Sequence, residues 1–153
     1  MRNSYFDAEL HFVQTEYGKQ PPFSGFLPAI AGPWGIPTWC NYNNRGQAIC
    51  SFGVQDKDHA ILEFTAASTA YRCTALTGFR TFLKQGGIVV EPFADSMGTM
   101  ILEPNALRLT WKNEQASVEV VYFTLPNERM AGLCRRLRVQ NLSSAETGLE
   151  LLD

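Results

Sequence analysis

The densest cluster of chemistry-bearing side chains in the sequence is Gln55-Asp56-Lys57-Asp58-His59-Ala60. Two carboxylates and an imidazole this close could hold a divalent cation or act as an acid–base pair. Metal ligands must converge from several directions, however, and the other histidine, His11, is remote in sequence. The cluster therefore reads as a polar turn between two strands, and no metal ligand is assigned. Cys50 with His59 would make a thiol dyad, but the apolar neighbours Ile49 and Phe52 read as the surroundings of a core cysteine. The sequence contains no Gly-x-Ser-x-Gly nucleophile elbow and no phosphate-cradling P-loop. Its 15 acidic residues always offer some pair of carboxylates for glycoside hydrolysis, yet no spacing selects one. No catalytic residue is expected.

Other ligand classes are narrowed by charge and cysteine usage. The net charge is −2 with both signs interspersed, so nucleic-acid binding has little electrostatic footing. The nearest basic group, Arg135, Arg136 and Arg138, reads as a solvated strand face rather than a phosphate site. Cys40, Cys50, Cys73 and Cys134 are widely spaced without a Cys-x-x-Cys pair, which argues against zinc and for reduced, mostly buried thiols. The first ten residues lack an apolar signal region, and no run of apolar residues is long enough for a membrane helix. A cytoplasmic protein without a membrane partner is the expectation.

What remains is the stretch from Pro22 to Cys40, PFSGFLPAIAGPWGIPTWC, which carries aromatics, glycines and prolines and no charge. Proline removes a ladder donor and glycine costs order, so the stretch is expected to be an irregular connector rather than a strand. Leaving all its aromatics bare would create a large apolar patch, so the segment is expected to be covered. Three covers are open: the domain's own core, another domain or subunit, or a ligand stacked on the rings. Phe23, Phe26, Trp34, Trp39 and Tyr42 are the candidate carbohydrate or interface residues. Gly32-Pro33-Trp34 has the Gly-x-Trp spacing of the lipocalin signature, but the intervening proline spoils the strand that signature needs.

Alternation is the pattern that must position these groups. Leu107, Leu109 and Trp111 share one side of a run from Ala106, and Ser117 to Thr124 is rich in β-branched and aromatic residues. In Leu133 to Val139, Leu133, Leu137 and Val139 are in phase, with Arg135 interrupting them. Gln47 to Val54 and Gly87 to Phe93 read similarly. Turn signals at Asn43-Asn44-Arg45-Gly46, Gln85-Gly86-Gly87, Pro104-Asn105 and Pro126-Asn127 separate the runs. The expectation is a single all-β domain over residues 1–153, an antiparallel β-sandwich. The one helical candidate, Glu63 to Thr77, is alanine-rich but laden with threonine, and is as compatible with a single turn as with a full helix. The ending SAETGLELLD reads as an apolar strand halted in mid-pattern, so the domain is expected to be truncated at its C-terminal end.

Several segments are similar to a known family. Phe23-Ser24-Gly25-Phe26-Leu27-Pro28-Ala29-Ile30-Ala31-Gly32 resembles the FSSFLPGIAG-like stretch near the start of bacterial glycoside phosphorylases related to cellobiose phosphorylase. So do Asn44-Arg45-Gly46-Gln47, Ser51-Phe52-Gly53-Val54 with Lys57-Asp58, Gly78-Phe79-Arg80-Thr81-Phe82, and the ending Leu149-Glu150-Leu151-Leu152-Asp153. The resemblance spans the chain and is greatest to the β-1,3-glucan phosphorylase subgroup; Ala29, Cys40 and Asn43 depart from it. It implies a longer enzyme with an N-terminal β-sandwich, a helical linker and an (α/α)6 barrel, cleaving β-glucosides with inorganic phosphate as co-substrate and inverting the anomeric centre. The general acid and the phosphate-binding residues would lie in that barrel, outside this chain. The resemblance further implies a homodimer, an oligosaccharide substrate, no other cofactor, and a domain that packs at the dimer interface. A free-standing carbohydrate-binding module using exposed aromatics is the alternative.

Overall fold

The alternating runs form strands. The computed structural model describes residues 3–27 and 36–153. In chain order the elements are β1 (Ser4–Phe6), β2 (Phe12–Thr15), β3 (Ser24–Leu27), β4 (Thr38–Asn43), β5 (Ile49–Val54), β6 (Ala60–Leu62), α1 (Ala67–Thr77), β7 (Phe82–Gln85), β8 (Ile88–Val90), β9 (Thr99–Leu102), β10 (Ala106–Lys112), β11 (Ala116–Thr124), β12 (Leu133–Asn141) and β13 (Glu150–Leu152). They build three antiparallel sheets: β1-β2-β9-β10-β11-β12, β3-β4-β5-β6 and β13-β7-β8. The result is an all-β, sandwich-like fold whose sheets do not close into a barrel.

Register decides which side chains meet. Across the six-stranded sheet, Met100, Leu109, Val120 and Leu137 stand in one row, and Leu102, Leu107, Tyr122 and Arg135 in the next. Because side chains alternate along a strand, these rows share the inner face. They meet Leu27, Cys40, Tyr42 and Ile49 of the four-stranded sheet and Leu83 of the three-stranded one in a single core. Each fully buried side chain of this kind contributes about 1.5–3 kcal/mol. The opposite face of the six-stranded sheet carries the polar row Thr99, Thr110, Glu119 and Arg138.

Three expectations change here and one open alternative is decided. Ser24–Leu27 and Thr38–Cys40 are strand, so the proline-rich stretch is only partly a connector. Its glycines and prolines leave two short runs, in which Leu27 and Cys40 alternate inward. The helical candidate takes the fuller of its two open alternatives, three turns over Ala67–Thr77. Its stability comes from docking, not from propensity. Ala70 and Thr74, one turn apart, are buried, and the Thr74 hydroxyl donates to the Ala70 carbonyl (2.7 Å) and accepts from Asn43 Nδ2 (2.9 Å). Gly87 to Phe93 is strand only over Ile88–Val90. Finally, Arg136 and Arg138 do face solvent, but Arg135 points into the body of the protein.

Candidate functional site

Asp56, Asp58 and His59 form the turn between β5 and β6. Asp56 Oδ1 accepts the Asp58 backbone N–H (2.9 Å) and lies 2.8 Å from His59 Nδ1. The His59 side chain, with that N–H, holds the Asp56 carboxyl below its usual range. All three residues are exposed, and among the described residues no group of three or more histidine, cysteine or acidic side chains could hold a metal ion. His11 pairs with Asp7 just before β2. Cys40, Cys50, Cys73 and Cys134 are free thiols; burial pushes that of Cys40 up to about 12, far from a reactive thiolate.

The most connected polar cluster surrounds Arg135. Its Nη2 donates to Gln47 Oε1 and to Thr81 Oγ1, both at 2.7 Å, its Nε donates to the Tyr122 hydroxyl (3.1 Å), and its Nη1 pairs with Asp153 Oδ2. Thr81 accepts from Gln47 Nε2 (2.8 Å) and donates to Asp153 Oδ1 (2.7 Å), while Tyr122 donates to Gln47 Oε1 (3.1 Å). The Thr81 hydroxyl therefore uses its single proton and both lone pairs, and the Tyr122 hydroxyl both donates and accepts. The guanidinium also lies 5.6 Å from the Phe79 ring centroid and 5.8 Å from that of Tyr122. With its groups satisfied by one another, the cluster is a structural tie rather than a reaction centre. It joins the β4–β5 loop, the start of β7, β11, β12 and the residue after β13.

The neighbouring β4–β5 loop is a second tie. Asn44 Nδ2 donates to the carbonyls of Tyr17 (3.1 Å) and Pro21 (2.9 Å), and its Oδ1 accepts the Phe23 N–H (3.1 Å). The Gly46 N–H reaches Ser96 Oγ (2.7 Å), and its carbonyl accepts the Tyr17 hydroxyl. Gly46 has φ +52°, and a Cβ there would stand 2.6 Å from Ala75 Cα of the helix.

One surface that can take a ligand lies on the outer face of the four-stranded sheet. Between β3, β4 and the start of α1 runs a groove of about 180 Å³, lined by Phe26, Asn41, Cys50, Phe64 and Tyr71 among others. Among the described residues no charged one lines it. Phe26 is 76% exposed and Phe64 52% exposed. Phe26 and Asn41 are cross-strand neighbours, and Asn41 Nδ2 donates to Ser51 Oγ (2.9 Å). Asn41 Oδ1 is sealed from solvent and has no hydrogen-bond partner among the described residues. Beyond Phe64, the Trp39 ring stands edge-on to it at 6.3 Å, with its indole N–H donating to the Asp56 carbonyl (2.8 Å). Gly53 makes room for that ring: a Cβ there would come within 2.6 Å of it.

The five aromatic candidates thus separate. Phe26 is the exposed one and lines the groove together with Tyr42, which is otherwise buried. Phe23 is half-buried between Phe12 and Tyr42, at 5.2 and 6.3 Å. Trp39 is half-buried, and Trp34 lies outside the described residues. Of the three covers, the domain's own core is excluded at Phe26, whose strand turns it outward. Sequence reasoning missed Asn41, Phe64 and Tyr71; the alternation of β4, which puts Asn41 in phase with Trp39, was the available signal for the first. It also missed the roles of Gln47, Thr81, Arg135 and Asp153, although all four sit in segments already singled out.

The chain matches no protein-family model, no curated protein and no solved structure. Among the described residues no helix is long and apolar enough to cross a membrane.

Proposed function

We propose that this chain is the non-catalytic N-terminal β-sandwich domain of an inverting glycoside phosphorylase that cleaves β-glucosides or β-glucans with inorganic phosphate, and that it serves packing and dimerisation in the cytoplasm. One observation carries the reading. Three separate segments that resemble the phosphorylases, Asn44–Gln47, Gly78–Phe82 and Leu149–Asp153, supply Gln47, Thr81 and Asp153 to the one cluster around Arg135. Segments far apart in sequence that share one resemblance and meet at one joint behave as parts of a single inherited design. In such an enzyme a phosphate oxygen attacks the anomeric carbon of the β-glucoside while the departing glycosidic oxygen takes a proton, giving α-glucose 1-phosphate. Those groups would come from the barrel domain.

The test is phosphorolysis by the protein encoded by the complete gene. Incubation with β-1,3- or β-1,4-gluco-oligosaccharides and inorganic phosphate is expected to release α-glucose 1-phosphate, with no turnover by residues 1–153 alone. A coding sequence with no region able to form a catalytic barrel would overturn the reading. A second reading, a carbohydrate-binding module, is favoured by the exposed Phe26 at an uncharged groove.

A further inference from the structure

We propose that the groove between β3–β4 and the start of α1 is a binding site for one neutral pyranose unit of a saccharide. The proposal takes its ligand class from the second reading and does not depend on the phosphorylase reading.

Four features of the groove define the ligand. Its volume of about 180 Å³ falls below the roughly 300–1,000 Å³ of sites for drug-sized molecules, so it admits a ring-sized moiety rather than an extended chain. Among the described residues it has no charged lining residue, and the one cation beside it, Arg45 over the Tyr71 ring (5.5 Å to the centroid), is held by the Asn44 oxygens, so a neutral ring fits better than a carboxylated or phosphorylated one. Its walls are the rings of Phe26, Phe64 and Tyr71, which suit the C–H face of a sugar. Its floor holds Asn41, whose Oδ1 is buried without a partner among the described residues. A buried acceptor of this kind is left unsatisfied in few native structures and asks for a donor. A saccharide hydroxyl supplies one, and a purely apolar ligand does not.

The surroundings agree with this geometry. Helix α1 begins at Ala67, which lines the groove, and Ala66 before it offers no side-chain cap. The first N–H groups of a helix have no acceptor within it; here those of Thr69 and Ala70 are taken by the Ala66 carbonyl (both 2.9 Å), which leaves the amides nearest Ala67 for acceptors on the same ring. Phe26 stands across the strand pair from Asn41 and is exposed, so its ring is free to turn and admit the hydroxyl. The Asn41 amide is fixed from its other end by Ser51.

The experiment is a heteronuclear NMR titration of the 153-residue chain with laminarihexaose, cellohexaose and, as the charged counterpart, hexagalacturonic acid. Saturable shifts of the Asn41 side-chain amide and of the Phe64 and Tyr71 ring signals are expected with at least one neutral hexaose, and none with the acid. Phe26→Ala and Phe64→Ala are each expected to weaken binding about tenfold, whereas Phe6→Ala, an exposed aromatic on β1, leaves it unchanged. Absence of saturable shifts with both neutral hexaoses overturns the proposal. So does binding that survives both groove variants, or a groove that takes up phenylalaninamide and neither neutral saccharide, which would mark an anchor site for a protein side chain. None of these outcomes bears on phosphorolysis by the full-length protein, so the two readings fail separately.

Discussion

Arg135 stands where the alternation of β12 asks for an apolar side chain. Its neighbours in phase, Leu133, Leu137 and Val139, all pack against the core. The alternation therefore already placed Arg135 inward; its charge suggested solvent, and the partners that make a buried charge tolerable lay up to 88 positions away in sequence. Replacing it with methionine keeps the volume but removes the counter-charge of the Asp153 carboxylate and one donor each from the Gln47, Thr81 and Tyr122 oxygens. Arg135→Met is expected to cost about 3 kcal/mol in urea unfolding, the low end for a broken buried pair because Asp153 still reaches water. A pH effect follows from the same contacts. Burial alone would raise the Asp153 carboxyl, but hydrogen bonds from Arg135 and Thr81 outweigh it and hold the group below its usual value. Its folded value being depressed, its stabilisation is complete above the ordinary aspartate value of about 3.9 and is lost as pH falls through the folded value. Melting temperatures measured from about pH 5 down to about pH 2 should therefore fall less steeply for Asp153→Asn than for the parent. An equal fall in both would show that Asp153 does not contribute.

At the level of elements, the strands were legible wherever one face is buried and the other wet. β10 and β11 are the examples, with Leu107, Leu109, Val118 and Val120 inward and Thr110, Ser117 and Glu119 outward. The proline-rich stretch was not, because composition says where a ladder is interrupted and not how much survives between interruptions: four residues from Ser24 are enough to pair with β4. Helix α1 was illegible for a different reason, its anchors being a single threonine–asparagine bond and a glycine packed against its backbone rather than an apolar stripe. Gly46 is that glycine. Adding a Cβ imposes a left-handed backbone on an L side chain and drives it into Ala75, so Gly46→Ala should destabilise by roughly 2–4 kcal/mol. Far-ultraviolet circular dichroism followed through thermal unfolding would test it; an unchanged melting temperature would mean that the loop and helix are not in contact. By contrast Phe26→Ala, on an exposed ring, should change stability by less than about 0.5 kcal/mol, which makes it a clean probe of the groove.

Over the whole molecule, the apolar surface is unevenly distributed. Ile88, Val89, Leu151 and Leu152 are exposed on the three-stranded sheet, of which β8 and β13 are the two edges. Alternation puts Val89 and Leu152 on one face and Ile88 and Leu151 on the other, and exposed apolar side chains beside open strand edges favour association. Sedimentation velocity on residues 1–153 is expected to show concentration-dependent self-association that Val89→Lys and Leu152→Lys together suppress. A monomer unaffected by concentration would exclude the face of Val89 and Leu152 as sticky. The cluster around Arg135 has a further consequence, in time rather than in space. Its members run from Gln47 to Asp153, so it closes only after most of the chain has already been threaded into place. Long-range closure of this kind is slow and comes late on the folding route. Contacts made after the rate-limiting barrier hold the native state shut without hastening its formation. Stopped-flow measurements should accordingly find Arg135→Met unfolding faster than the parent while refolding at nearly the same rate, so that this one guanidinium sets how long the molecule stays folded rather than how quickly it gets there.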